Sequence, residues 1–196
     1  MWNERYGAAE YAYGTEPNDF LKAVATRIPA GRVLSIADGE GRNGVFLATL
    51  GYDVTSVDSS TVGLAKAQRL AATRGVALTT IAADLADFII EPDAWQGIVS
   101  IFCHLPAPLR RRVHAQVMRA LVPGGLYVLE SYSLQQLGRG TGGPSSAELL
   151  PTLDALRDEL TGLELLHATE IEREIHEGVF HEGASAVVQV IGRRSE

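Results

Sequence analysis

Apolar positions along this chain follow two periods in turn, and the alternation predicts its elements. Residues 32–38 (RVLSIAD), 52–58 (YDVTSVD), 76–84 (VALTTIAAD), 97–105 (GIVSIFCHL) and 126–132 (LYVLESY) read as strands, the first a β-branched run of the buried kind. Between them, residues 43–50 and 59–74 read as helices closed by Gly51 and Gly75, with Ser59 or Ser60 as the cap of the second. Residues 108–121 carry Leu109, Val113, Val117 and Leu121 at helical spacing, after which Pro123-Gly124-Gly125 breaks the chain. Strands alternating with helices imply a parallel sheet with right-handed crossovers. The end differs. A Gly/Ser-rich stretch (138–146) leads to a helix at 148–160 and then to two strands, 164–175 and 184–193. The short HEGVFHEG link makes those two antiparallel. Ahead of the first strand, residues 17–28 read as a helix and residues 1–16 as an aromatic-rich arm. The expected architecture is α/β: a seven-stranded, mostly parallel sheet with a C-terminal antiparallel hairpin and helices on both faces.

A chain of 196 residues, 46% hydrophobic, has the material for one domain with a substantial core, so residues 1–196 are expected to form a single unit. The net charge of −7 argues against nucleic acid, because such partners are met by a basic face. The one dense basic cluster, Arg110-Arg111-Arg112, reads as the solvated face of a helix. No apolar run reaches the roughly 18 residues of a membrane span, and the first residues lack a basic segment followed by an apolar one. A cytoplasmic protein with a small-molecule partner and no membrane is expected, and the single cysteine, Cys103, agrees with a reducing compartment. Nothing in the pattern separates a subunit interface from a core face, so no oligomeric state is read.

In open α/β sheets, ligands bind at the carboxyl ends of strands, where strand order reverses. Those ends hold the informative residues. The first strand runs into Asp38-Gly39-Glu40-Gly41-Arg42-Asn43-Gly44, whose glycines let backbone approach a ligand and turn into a helix. Asp58 ends the second strand, placed to accept both hydroxyls of a ribose. Asp84 ends the third, beside Leu85, placed to accept from an adenine amino group between apolar neighbours. GEGRNG also satisfies the dinucleotide pattern, so an NAD(P)-dependent oxidoreductase is an alternative. Asp38 beside the glycines disfavours a pyrophosphate and suits a cationic amino acid group.

The run Val33-Leu34-Ser35-Ile36-Ala37-Asp38-Gly39-Glu40-Gly41-Arg42-Asn43 resembles the glycine-rich motif of class I methyltransferases that use S-adenosylmethionine (SAM). Ser35 replaces the usual acid and Ala37 the first glycine, and Asp38 stands where it could take over part of the missing acid's work. The arm Trp2…Arg5-Tyr6…Tyr13-Gly14…Pro17-Asn18, the segment GYDVTSVD and the strand-turn-strand of 172–194 are similar to the tellurite-resistance and thiopurine-type branch. The resemblance implies a Rossmann-like fold and SAM as cofactor, leaving S-adenosylhomocysteine. It also implies a small-molecule acceptor with a soft nucleophile, such as a thiol or a metalloid like tellurite. Residues 1–30 would then cover the cofactor site. The expected cofactor contacts are Tyr13, Asp38, Gly39, Gly41, Asn43, Asp58, Ser59, Asp84, Leu85 and Phe102.

Methyl transfer is an in-line displacement at a sulfonium carbon, so alignment, contributing on the order of 7–11 kcal/mol, is the protein's main task. His104, just past the fourth strand, is the candidate base, and Tyr132, ending the fifth beside Glu130, faces the same crevice. Tyr11 and Tyr13 could face the sulfonium through cation–π contact, and Arg5 could pair with a carboxylate. The stretch 138–146 reads as a lid or a linker, and Cys103 as core. His176 and His181 flank the hairpin turn, but no third ligand accompanies them, so no metal is expected. The Asn/Asp-Pro-Pro-aromatic signature of adenine amino methylation is absent. A SAM-binding module without catalysis is the other alternative.

Overall fold

The structure, a computed structural model, describes residues 2–178 and 180–195. The chain opens with a single helical turn, α1 (Trp2–Arg5), and α2 (Asp19–Val24), which continues as a 3-10 turn over Ala25–Arg27. Asn18 caps α2, its side chain accepting from the amide of Leu21 at 2.9 Å. Then follow β1 (Arg32–Ile36), α3 (Arg42–Thr49), β2 (Asp53–Asp58), α4 (Thr61–Arg74), β3 (Thr79–Ala82), β4 (Trp95–Ile101) and α5 (Ala107–Ala120). The chain ends with β5 (Leu121–Tyr132), α6 (Leu153–Glu159), β6 (Glu164–His176) and β7 (Glu182–Arg193). The seven strands form one sheet in the order β3-β2-β1-β4-β5-β7-β6. The first five are parallel, and β7 pairs antiparallel with both β5 and β6.

Alternate residues of each strand feed two cores, as the period of two requires. Leu34, Ile36, Ile98, Tyr127 and Leu129 pack against α5 and α6. Val33, Val99, Ile101, Leu126 and Val128 pack against α2 and α3. No helix among the described residues is long and apolar enough to cross a membrane.

Several boundaries differ from the sequence reading, among them the first strand, which stops at Ile36 rather than 38 because Ala37 takes a left-handed φ of +52°. The fourth strand begins at Trp95 and stops at Ile101 rather than running to 105, because Phe102 takes a left-handed φ of +52° that breaks the pleat. The third shrinks to Thr79–Ala82: Val76 and Leu78 come off the Gly75 cap and pack back on Val45, Leu70 and Ala71. The fifth begins at Leu121. Pro123-Gly124-Gly125 does not end the pairing but is absorbed as an irregularity, with Gly124 donating to the carbonyl of Arg194 at 2.9 Å. The helix expected at 148–160 is split, because Pro151 cannot continue it. A 3-10 turn at Ala147–Leu149 precedes α6, whose cap Thr152 accepts from the amide of Ala155.

Candidate active site

β1 lies between β2 and β4, and the chain leaves β1 toward β2 and later returns on the other side, so strand order reverses between β1 and β4. The residue following each of these two strands, Ala37 and Phe102, has a φ of +52°. Left-handed backbone in non-glycine residues costs of order 1–3 kcal/mol and persists only where the surroundings impose it. Two such residues flank the point where this class of sheet binds ligands.

The glycine turn lies beside Ala37. Gly39 and Gly41 both have positive φ, and a Cβ on Gly41 would overlap the methyl of Ala67 on α4. The carboxylate of Asp58 accepts from the amides of Gly39 and Ser60, each at 2.8 Å. Burial raises its pKa, and the amides of Ser60, Gly39 and Ser59 act the other way. Each carboxylate oxygen retains a further lone pair. Asp38 turns inward: the hydroxyls of Ser35 (2.7 Å) and Ser56 (2.5 Å) and the amide of Gly44 (3.2 Å) donate to it. Burial pushes Asp38 up to about 6 against those three donors. It therefore anchors Ser35, the residue standing where the motif's usual acid would be, to β2 and α3.

The other expected contacts are distributed around this turn. The amide oxygen of Asn43 accepts from the backbone of Asn18 at 3.0 Å, tying α3 to the arm. Ser59 is exposed, and Ser60 is the residue that caps α4, accepting from Gly63 at 3.0 Å. Asp84 is exposed and accepts from the amide of Ala86 at 2.8 Å, while Leu85 packs into the core with Ile36 and Val57.

Three residues to which the sequence reading gave no role of their own join the arm to the turn. Glu40 is buried, accepting from Lys66 at 2.5 Å and from the backbone of Ala12 at 2.7 Å. Lys66 also donates to the carbonyl of Glu10. Tyr6 lies over the bare face of Gly39, where a Cβ would come within 2.6 Å of its hydroxyl. Burial raises its phenol, and the nearby carboxylate of Asp58 adds to the effect.

On the β4 side the rings gather. Phe102, His104, Tyr132 and Tyr13 come together with His181, from the turn between β6 and β7. Burial pushes His104 down to about 4 and His181 down to about 3, so both are neutral at pH 7. Burial raises the Tyr132 hydroxyl, which keeps its proton. Cys103 is pushed up to about 12 by burial and is not a thiolate. Among the described residues no group of three or more His, Cys, Asp or Glu could hold a metal ion.

The turn that carries His181 is fastened from below. Glu130 accepts from Arg173, from the amide of Asn18 (2.7 Å) and from Gln189 (2.5 Å). Glu177 accepts from Arg42 (2.5 Å), Arg173 (3.2 Å) and Asn18 (2.9 Å). This network joins the arm, α3, β5, β6 and β7.

Residues 33–125 match the methyltransferase domain family. A curated relative, the 2-heptyl-1-hydroxyquinolin-4(1H)-one methyltransferase of Mycobacteroides abscessus, is 25% identical over 122 residues. That alignment covers 61% of this chain and 54% of the relative, so the chain spans about half the length of the curated relative it matches. Two solved structures share the fold. One, from work on conversion of a disulfide bond into a thioacetal group during echinomycin biosynthesis, superposes with a TM-score of 0.77 at 21% identity. It covers 98% of this chain and 88% of its own. TehB from Haemophilus influenzae gives 0.73 at 18% identity, over 99% of this chain and 66% of TehB. At those identities the likeness is one of fold. The matches are thus to a methyltransferase domain over residues 33–125 and to the fold over the rest of the chain.

Proposed function

We propose that this chain transfers a methyl group from SAM to a small-molecule nucleophile. The observation that carries the reading is the pair of strained residues at the strand-order reversal, Ala37 and Phe102, with two different sites beside them. Beside Ala37 are the positive-φ turn of Gly39 and Gly41 and the carboxylate of Asp58 with lone pairs to spare, which fit the ribose end of an adenosine cofactor. Beside Phe102 are rings and unpartnered polar atoms, which fit an acceptor. When bound, SAM supplies a methyl group already activated on sulfonium.

The chain's own groups supply the rest. Asp58 accepts the ribose hydroxyls, while the amides of Gly39 and Ser60 hold its carboxylate in place. Tyr13 sets an electron-rich ring at the acceptor end. His104 and Tyr132 meet the nucleophile, the first as a neutral imidazole able to take a proton and the second as a hydroxyl that donates. Burial of the rings excludes water. The arm and the C-terminal strands, similar to those of the tellurite-resistance and thiopurine-type branch, suggest a thiol or tellurite as the soft acceptor.

The test is formation of S-adenosylhomocysteine from SAM with a panel of thiols, tellurite and hydroxyl compounds, on wild type and His104→Ala. Turnover on a small molecule that drops in the variant supports the reading. Binding without turnover on any of them, indifferent to His104, would leave a SAM-binding module.

A further inference from the structure

Phe102, His104 and Tyr132 form a staggered tier of nearly parallel rings. Phe102 and Tyr132 are 4.6 Å apart at 28°, and His104 and Tyr132 are 5.6 Å apart at 19°. His181 meets the tier edge-on, 4.7 Å from Phe102 and 5.2 Å from Tyr132. Within this cluster three buried polar atoms, His104 Nε2, the Tyr132 hydroxyl and His181 Nδ1, make no well-formed hydrogen bond among the described residues, although the backbone of Leu149 lies near His104 and Ser185 near Tyr132. Folded chains rarely strand such atoms, and three in one ring cluster mark a place meant for a polar group from outside.

We propose that the methyl acceptor is a flat aromatic molecule carrying an acidic hydroxyl, its ring laid against the tier and its oxygen meeting the unpartnered atoms of His104 and Tyr132. The inference rests on the methyl-transfer reading and replaces the soft acceptor that the resemblance suggests with an aromatic hydroxyl.

Three features select this class. Stacked rings favour a planar body over a compact oxyanion. The polar atoms in the tier belong to neutral groups, and Arg42 and Arg173 near His181 are already paired with Glu177 and Glu130, so a tellurite ion would lose its water for little counter-charge there. An aromatic hydroxyl spreads its charge over the ring instead. Both histidines are weak bases, which suits an acceptor that gives up its proton readily. Arg5 stands at the rim, donating to the Tyr13 hydroxyl at 3.2 Å and lying 4.6 Å over the ring of Phe180, where it would draw in an anionic acceptor.

In the step itself, a bond forms between the acceptor oxygen and the methyl carbon as the carbon–sulfur bond breaks. The electron pair of that bond passes to sulfur, and the hydroxyl proton goes to His104 or to water. The rings touch one another, so the acceptor must displace the edge of His181. Gly142 and Gly143, whose missing side chains let their loop lie against Tyr132, form the other part of that cover.

The test titrates the purified chain, saturated with S-adenosylhomocysteine, with 7-hydroxy-4-methylcoumarin, 4-nitrophenol, cyclohexanol, 2-mercaptoethanol and tellurite by calorimetry. Each compound is also offered as an acceptor with SAM. The two aromatic hydroxyls are expected to bind and be methylated, and the other three to bind at least about tenfold more weakly. Tyr132→Phe, which removes only the hydroxyl, and His181→Leu, which removes a ring, should each weaken aromatic binding about tenfold while leaving S-adenosylhomocysteine affinity unchanged. If S-adenosylhomocysteine binds but neither aromatic hydroxyl does, or if the thiol or tellurite is preferred, the inference is overturned and the methyl-transfer reading survives. Failure to bind S-adenosylhomocysteine overturns both.

Discussion

Replacing Arg173 by Met would strand a charge at the centre of the C-terminal hairpin. The guanidinium donates to Glu130 through Nε (3.1 Å) and Nη2 (2.5 Å) and reaches Glu177 at 3.2 Å. Glu130 is 0% exposed, and its remaining partners, the amides of Asn18 and Gln189, carry no charge. Glu177 would keep Arg42. Met roughly matches the length of the lost stem, so the cost falls on Glu130. Removing one partner of a buried ion pair costs about 3–5 kcal/mol. At about 2–4 °C per kcal/mol for a chain of this size, the melting temperature should fall by roughly 6–20 °C. Urea denaturation and thermal melts would measure both. The double variant Arg173→Met/Glu130→Leu should recover most of the loss, with a coupling energy of about 2 kcal/mol or more. A single variant within about 1 kcal/mol of wild type, or a double variant as unstable as the two singles added, would refute the reasoning.

Other expectations follow from the same geometry. Asp58→Ala removes the acceptor held by Gly39 and Ser60 and should weaken S-adenosylhomocysteine binding by about 1.5–3 kcal/mol, roughly 10- to 150-fold by calorimetry; unchanged affinity would show that the ribose lies elsewhere. Gly41→Ala forces a side chain into Ala67 at a φ of +84° and should lower stability by about 2–4 kcal/mol in urea melts, whereas Gly51→Ala, with open space around it, should lose only the strain of its positive φ. Asp38, pushed up to about 6 from an ordinary 3.8, holds its proton in the folded chain where the unfolded chain has released it. Its contribution is therefore most favourable below about pH 4 and is lost as pH rises to about 6, a change of up to about 3 kcal/mol. Asp38→Asn should flatten the stability profile across that window, and parallel profiles for the two proteins would sink the assignment.

Much of the fold was legible because periodicity reports burial. The seven strands, the crossover helices and the closing hairpin all follow from where apolar residues fall. What failed was set by distant partners. FCHL continues the apolar run of β4, yet Phe102 leaves the strand because the backbone turns left-handed there. The run EIEREIH on β6 reads as a solvated strand, and nothing local shows that Arg173 faces a buried Glu130 across β7. Glu40, between two glycines, carried no assignment of its own. Its role needs Lys66, on the following helix, and the arm that folds over both. Within the site, Asp58 and the glycines were readable from strand ends, and so was Ser35 as the position lacking its usual acid, which Asp38 anchors. His181 was considered only as a metal ligand, since a residue in a hairpin turn gives no sequence signal that it will lie against Tyr132.

The central claim is that the turn from Ala37 to Asn43, with Asp58 beside it, holds an S-adenosyl cofactor. Calorimetric titration of the purified chain with S-adenosylhomocysteine, with NAD run in parallel, tests it most directly. The account predicts saturable binding of S-adenosylhomocysteine at one site and no heat of binding from NAD. Binding of NAD with none of S-adenosylhomocysteine would contradict it, and the assignment of the acceptor end would fall as well.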